Sequence, residues 1–237
     1  MKYLIFVFIV LITISYGFGQ RKNQKKKHDD AATWFFLSGG GTFGNGVLMN
    51  DHVSNQDIGM GFFNPSFGGD ICLGANFPFG AGIVAGLDFN TLTQSYEYNS
   101  VSTDINLGYS GKYILLRGIS ANGGYFEAGP RFCKVTNEPG YTQHNDYRNN
   151  FTSLILGFGG NVYWHQNFDI SAGLRLGFNF NHMETDNYPF GGIFDTTTLS
   201  SYEKTSSFTA QLRIALSWHI GYFRKAQCDK HIEFLFF

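Results

Sequence analysis

Between residues 208 and 223 the chain reads FTAQLRIALSWHIGYF, and apolar and polar residues alternate through the stretch. The even positions are Phe208, Ala210, Leu212, Ile214, Leu216, Trp218, Ile220 and Tyr222. The odd ones are Thr209, Gln211, Arg213, Ala215, Ser217, His219 and Gly221. A period of two marks a β-strand with one apolar and one polar face. At sixteen residues the strand is roughly three times the usual length. Tilted by about 45°, it crosses a hydrocarbon layer of ~30 Å and projects past it. This stretch predicts a transmembrane β-strand whose even face meets lipid and whose odd face lines a barrel.

Other parts of the chain fit that expectation. Thirty glycines in 237 residues exceed the average of about 7%, while charged residues make up only 15%. Long amphipathic strands with glycine on a crowded inner face and aromatics at the rims produce such a balance. A net charge of −1 gives no footing for nucleic acid. Cys72, Cys133 and Cys228 are odd in number and widely spaced, which suggests neither a disulfide framework nor a CxxC metal site. Residues 1–19 read as a cleaved signal peptide: Lys2, an apolar run, then Gly17 and Gly19 before Gln20. Residues 20–32, with Arg21, Lys22, Lys25, Lys26 and Lys27, read as a flexible basic lead-in that cannot bury a core.

Seven further stretches alternate. The first, 33–43, starts with Trp34, Phe35 and Phe36. In 66–77, Phe67, Ile71 and Leu73 oppose Asp70 and Cys72, and a tight turn at 78–81 leads to a strand with Ile83, Ala85, Leu87 and Phe89 on one face and Asp88 and Asn90 on the other. In 104–116, Ile105, Leu107, Tyr109, Tyr113 and Leu115 are expected outward, with Asn106, Gly108, Ser110 and Lys112 inward. The stretch 125–135 places Phe126, Ala128, Pro130 and Phe132 outward and Glu127, Arg131 and Cys133 inward. Pro130 cannot donate to a ladder, so a bulge is expected there. In 152–165, Leu154, Leu156, Phe158, Val162 and Trp164 face outward, and in 169–181 Ile170, Leu174, Leu176 and Phe178 do so against Arg175.

The expected fold is all-β, an eight-stranded antiparallel transmembrane up-and-down β-barrel over 33–223. Connections near 44–65, 91–103, 137–150 and 184–206 are long and the intervening ones short, the asymmetry of external loops and periplasmic turns. A soluble lipocalin-like barrel would invert the two faces. Residues 224–237 form a C-terminal tail of unassigned role.

Inward charges are expected at Asp70, Asp88, Lys112, Glu127, Arg131, Arg175 and Arg213. Inside a narrow barrel they must pair, and together they would plug an interior only just wide enough for side chains. Trp34, Trp164, Trp218 and Tyr222 are expected in an aromatic girdle. Gly39, Gly41 and Gly44 fit G-x-G-x-x-G, but no amphipathic helix follows, so no dinucleotide site is expected. No cofactor, metal or catalytic residue is expected: His52, Asp51, Asp57, His144 and Asp146 lack ligand spacing. Ser217 and His219, two apart on the inner face, are the one pair suited to a hydrolase, the alternative reading. Tyr188, Phe190, Phe194 and Tyr202 give the fourth loop an aromatic surface for a partner.

The segments Tyr125-Phe126-Glu127-Ala128-Gly129-Pro130, Leu156-Gly157-Phe158-Gly159-Gly160 and Ala172-Gly173-Leu174-Arg175 resemble the small outer-membrane barrel domain of Bacteroidota described as PorT-like. The resemblance covers about 33–223 and departs from the pattern where the chain continues past Phe223. It implies a fold and a Gram-negative outer-membrane address, and no catalytic residues. The expected protein is a monomeric, non-enzymatic barrel in outer-membrane lipid, with an envelope protein as partner and no nucleic acid. Its role would be adhesion, envelope stability or secretion accessory, through the external loops or the periplasmic face. A narrow pore is the remaining alternative.

Overall fold

The computed structural model describes residues 32–50, 59–61, 64–98, 101–120, 123–136, 150–165, 167–180, 205–225 and 232–236. The expected signal peptide, nearly all of the basic lead-in, the metal-type loop residues and the fourth-loop aromatics lie outside them. Ten strands run in chain order: β1 (Thr33–Asn50), β2 (Gly59–Met60), β3 (Pro65–Asn76), β4 (Ala81–Tyr98), β5 (Val101–Ile119), β6 (Gly124–Val135), β7 (Asn150–Trp164), β8 (Phe168–Asn179), β9 (Thr205–Lys225) and β10 (Ile232–Phe236). Eight of them pair with their neighbours in the order β1-β3-β4-β5-β6-β7-β8-β9, and β9 pairs back with β1. Every pairing is antiparallel, so this is a closed eight-stranded up-and-down barrel.

β9 carries the closure. Its Asp169-facing edge pairs with β8 from Phe168↔Trp218 to Phe178↔Phe208, and its other edge pairs with β1 along the whole of β1. The odd face is buried at Thr209, Gln211, Arg213, Ser217 and His219, while Leu212, Ile214, Leu216 and Trp218 are 51–65% exposed. The same inside-out polarity holds for Phe67, Ile71 and Leu73 on β3, Leu87 and Phe89 on β4, and Phe126 and Phe132 on β6, all exposed. At one end, turns at 77–80 and 120–123 are closed by Gly80 and Gly123, whose φ of 81° and 82° suits glycine. β2 pairs with β4, and β10 pairs with the end of β9 from Ile232↔Lys225 to Phe236↔Gly221.

The structure corrects several expectations. β5 is turned over. Leu107, Tyr109, Tyr113 and Leu115 are buried inside, whereas Lys112, Ile114 and Leu116 face outward. Alternation is masked there by the apolar run Ile114-Leu115-Leu116, and the inward tyrosines have apolar bodies with a polar tip. Lys112 therefore belongs to the outer surface, where β5 changes from Ile114 and Leu116 to Ser110 and Asn106. Pro130 produces no bulge. The β5–β6 ladder skips two positions and resumes in the same register, with Tyr113 opposite Arg131 and Leu116 opposite Ala128. Gly129 allows this close approach, since a Cβ there would lie 2.1 Å from the Ile114 carbonyl oxygen.

Two bulges occur elsewhere. Phe35 and Phe36 oppose Gly221 and His219, leaving Ile220 as the extra residue. Asn161 and Tyr163 oppose Ser171 and Ile170, leaving Val162 extra. One inserted residue reverses the faces beyond it. The expected connection at 91–103 is also mostly strand: β4 and β5 pair out to Tyr98↔Val101. Both continue past the last β3 partner, Asn90 on β4, and past the first β6 partner, Tyr109 on β5, as a ribbon that β2 joins at Tyr96 and Glu97.

Candidate functional site

Five inward charges from five strands form one alternating chain. Arg117 on β5 pairs with Glu127 on β6; the Glu127 carboxylate also takes Arg175 Nη2 from β8 at 3.2 Å. Arg175 Nη1 reaches Asp70 on β3 at 3.1 Å, and Arg213 Nε on β9 donates to the same carboxylate at 2.8 Å. Tyr113 Oη completes the set, donating to Asp70 Oδ2 at 2.5 Å. Asp70 is 3% exposed and Glu127 1%, and each of these two buried carboxylates is held by two arginines, as burial demands.

A second cluster lies toward the long-loop end. Arg131 Nη1 meets Asp88 Oδ2 at 3.1 Å, and Arg131 Nε donates to Ser153 Oγ at 2.8 Å. Asn90 donates to Asp88 at 2.9 Å and accepts from Thr42 and Gln211 at 2.8 and 3.0 Å. Aromatic faces support the guanidiniums: Arg117 lies over Phe36 and Tyr125, Arg131 over Tyr109 and Arg175 over Tyr113, all at 4.8–5.2 Å, an arrangement that favours a cation over a ring. Between the clusters is a cavity of about 10 Å³ lined by Thr42, Asp88, Arg131, Arg175, Thr209 and Gln211, at the threshold for one water. Arg175 Nε has no hydrogen-bond partner among the described residues.

Of the charges expected inside, Asp70, Asp88, Glu127, Arg131, Arg175 and Arg213 are there and Lys112 is not. Arg117 was missed because β5 was read in the opposite register. An odd-numbered inward face on β5 would have been signalled by Arg117 itself, since a guanidinium aimed at lipid is costly.

The expected girdle divides between faces. Trp218 is 56% exposed and outward. Trp34 faces the mouth by the unbroken alternation of β1, on the same face as the buried Phe36 and Ser38, and the Ile220 bulge turns Tyr222 to meet it: their rings stack at 4.5 Å, and Trp34 meets the buried His219 ring edge-on at 6.1 Å. The Val162 bulge places Trp164 opposite the inward Asp169. Phe35, Phe223, Tyr163 and Phe168 take the outer positions at this rim, with Phe35 edge-on to Phe223 at 5.3 Å and Tyr163 stacked on Phe168 at 5.8 Å.

Ser217 and His219 do not engage each other. Ser217 Oγ donates to Ser38 Oγ at 3.2 Å, while His219 Nε2 faces Asp169 Oδ2 at 3.1 Å. Among the described residues no group of three or more His, Cys, Asp or Glu is placed to hold a metal.

Fold and interior together define a class: a closed eight-stranded β-barrel, apolar outside and ion-paired inside. Eight solved chains match it in shape. One is the outer membrane protein OprG from Pseudomonas aeruginosa, with 9% identity and a TM-score of 0.41 over 80% of this chain and 96% of that one. No protein-family model matches the chain, and no curated protein does. The class stated above rests on the strand pairings of this chain itself.

Proposed function

We propose that this chain is a non-enzymatic barrel of a Gram-negative outer membrane, of the Bacteroidota type its sequence resembles, exported by a cleaved signal peptide. It acts as a rigid structural or interaction component of the envelope, through its loops or its periplasmic face. The observation that carries this reading is the pairing of opposites across one wall. Leu212, Ile214, Leu216 and Trp218 are exposed while Gln211, Arg213, Ser217 and His219 between them are buried, an order that suits lipid outside and a plugged interior. From Phe67 to Ala75 the outward face of β3, rising ~3.4 Å per residue at a tilt of ~40°, covers roughly 20 Å of the barrel axis.

The filled interior supports a scaffold over a conduit. The Arg117–Glu127–Arg175–Asp70–Arg213 chain spans the bore, and the cavity beside it, about 10 Å³, is no larger than one water needs. Purified protein in planar bilayers is expected to stay electrically silent; steady single-channel steps would overturn the scaffold reading in favour of a pore. Extraction is the second arm: the mature chain is expected in the membrane pellet and to need detergent, and recovery as a soluble periplasmic protein would overturn the membrane assignment. Lipid hydrolysis is expected at background in wild type, Ser217→Ala and His219→Ala alike.

A further inference from the structure

Among the described residues, Lys112 and Lys134 form a cation pair on the outer wall. Lys112 on β5 lies laterally between Leu87 and Phe132. Lys134 on β6 lies between Ser110 and Asn150. Both lysines are exposed. They occupy adjacent strands two positions apart in register, so their Cβ atoms are within about 8 Å. Lys112 is eight residues before the Ser120 turn and Lys134 ten residues after Gly124, which sets them roughly 20 and 25 Å from the turn end along the barrel axis. That is the upper edge of an apolar band ~25 Å tall. Below them the wall is apolar, with Ile114, Leu116, Leu87, Phe132 and Phe126 exposed. Toward the loops β5, β6 and β7 carry Ser110, Thr136 and Asn150, with Phe89 exposed beside Ser110 on β4, and Glu97 stands far up the ribbon on β4.

A lysine on a lipid-facing wall is unfavourable at mid-depth and close to neutral at the interface. Two of them side by side repel unless an anion lies between. We infer that Lys112 and Lys134 form a binding site for the phosphate of an anionic membrane lipid on the loop side of the barrel, an inference that rests on the membrane reading above. Each ammonium brings three donors on a stem long enough to reach the headgroup plane. Charge complementarity selects the phosphate, and the acyl chains lie along Leu87, Phe132 and Pro130. Ser110, opposite Lys134, supplies a neutral hydroxyl to the same headgroup.

The test uses the full-length mature barrel in detergent, with retained lipid counted by native mass spectrometry after addition of phosphatidylglycerol or phosphatidylcholine. Wild type is expected to retain phosphatidylglycerol preferentially. At about fivefold per lysine near an anionic surface, Lys112→Ala/Lys134→Ala should lower that preference roughly thirtyfold, while Lys112→Arg/Lys134→Arg keeps it. Equal retention of the two lipids by wild type, or an unchanged preference in the double alanine variant, would overturn the site. Insertion into pure phosphatidylcholine vesicles, read as a heat-sensitive gel shift, separates the two proposals. Insertion without anionic preference removes only the lysine site, and failure of every form to insert removes the membrane reading with it.

Discussion

Asp70→Asn removes a charge without removing volume, at the point where four strands meet through one carboxylate. Asp70 accepts from Arg213 Nε at 2.8 and 3.1 Å, from Arg175 Nη1 at 3.1 Å and from Tyr113 Oη at 2.5 Å. In the wild type, Arg117, Arg175 and Arg213 share two carboxylates, Asp70 and Glu127. After the substitution they share Glu127 alone, and the amide turns an N–H₂ group toward donors. Breaking a buried pair by deleting one partner costs about 3–5 kcal/mol, and serving two arginines puts Asp70 no lower than the middle of that range. With a urea slope of about 2 kcal/mol/M, a loss of about 4 kcal/mol moves the unfolding midpoint down by about 2 M. Tryptophan fluorescence in vesicles, titrated with urea in both directions, reads this directly. Asp70→Asn/Arg213→Gln restores the wild-type excess of one cation, so the double variant is expected to fall short of the summed single losses by about 1–3 kcal/mol. A single-variant shift below about 0.5 kcal/mol, or strict additivity of the pair, would refute the idea that the interior is held as a charge-balanced unit.

Other changes probe separate parts of the barrel. Gly86→Ala would place a Cβ 2.6 Å from the Tyr113 hydroxyl and from Cys72 Cβ; overpacking of about 1–3 kcal/mol should appear as a lower urea midpoint. Gly129→Ala meets the Ile114 carbonyl oxygen at 2.1 Å, a backbone atom that cannot rotate away, and should cut the yield of heat-sensitive folded barrel more than Gly86→Ala does. Arg117→Leu leaves Glu127 to Arg175 alone and strips the cation from the Phe36 and Tyr125 rings, a loss of about 3 kcal/mol in the same urea titration. His219→Ala takes a partner from Asp169, which keeps Asn161 at 3.4 Å; the expected cost is about 1–3 kcal/mol.

The fold was legible where one face of a strand was apolar throughout. On β9, β3, β6 and β8 the alternation assigned both faces, and with them Asp70, Glu127, Arg131, Arg175 and Arg213. It failed on β5, where Tyr109 and Tyr113 look lipid-facing but turn their hydroxyl ends to Arg131 and Asp70. The same error hid Arg117 and put Lys112 inside. The ribbon of β4 and β5 read as a loop because Thr91, Thr93 and Ser95 carry no apolar face beyond the wall. The girdle was half legible: no period-two reading foresees that a single extra residue at Ile220 or Val162 turns Tyr222 or Trp164 inward.

The C-terminal residues change what the barrel offers to other chains. β9 runs on past its last β8 partner at Trp218, and a strand that outruns its neighbour presents bare N–H and C=O groups that template pairing with any extended chain nearby. β10 fills that edge from Gly221 to Lys225. The tail is thus a competitor already in place: a strand from elsewhere must first displace it, and among the described residues what it leaves open is the outer edge of β10, five residues long, too short to hold a stray chain well. An appendage that the alternation of β9 gives no reason to expect acts as the guard on the strand that closes the barrel.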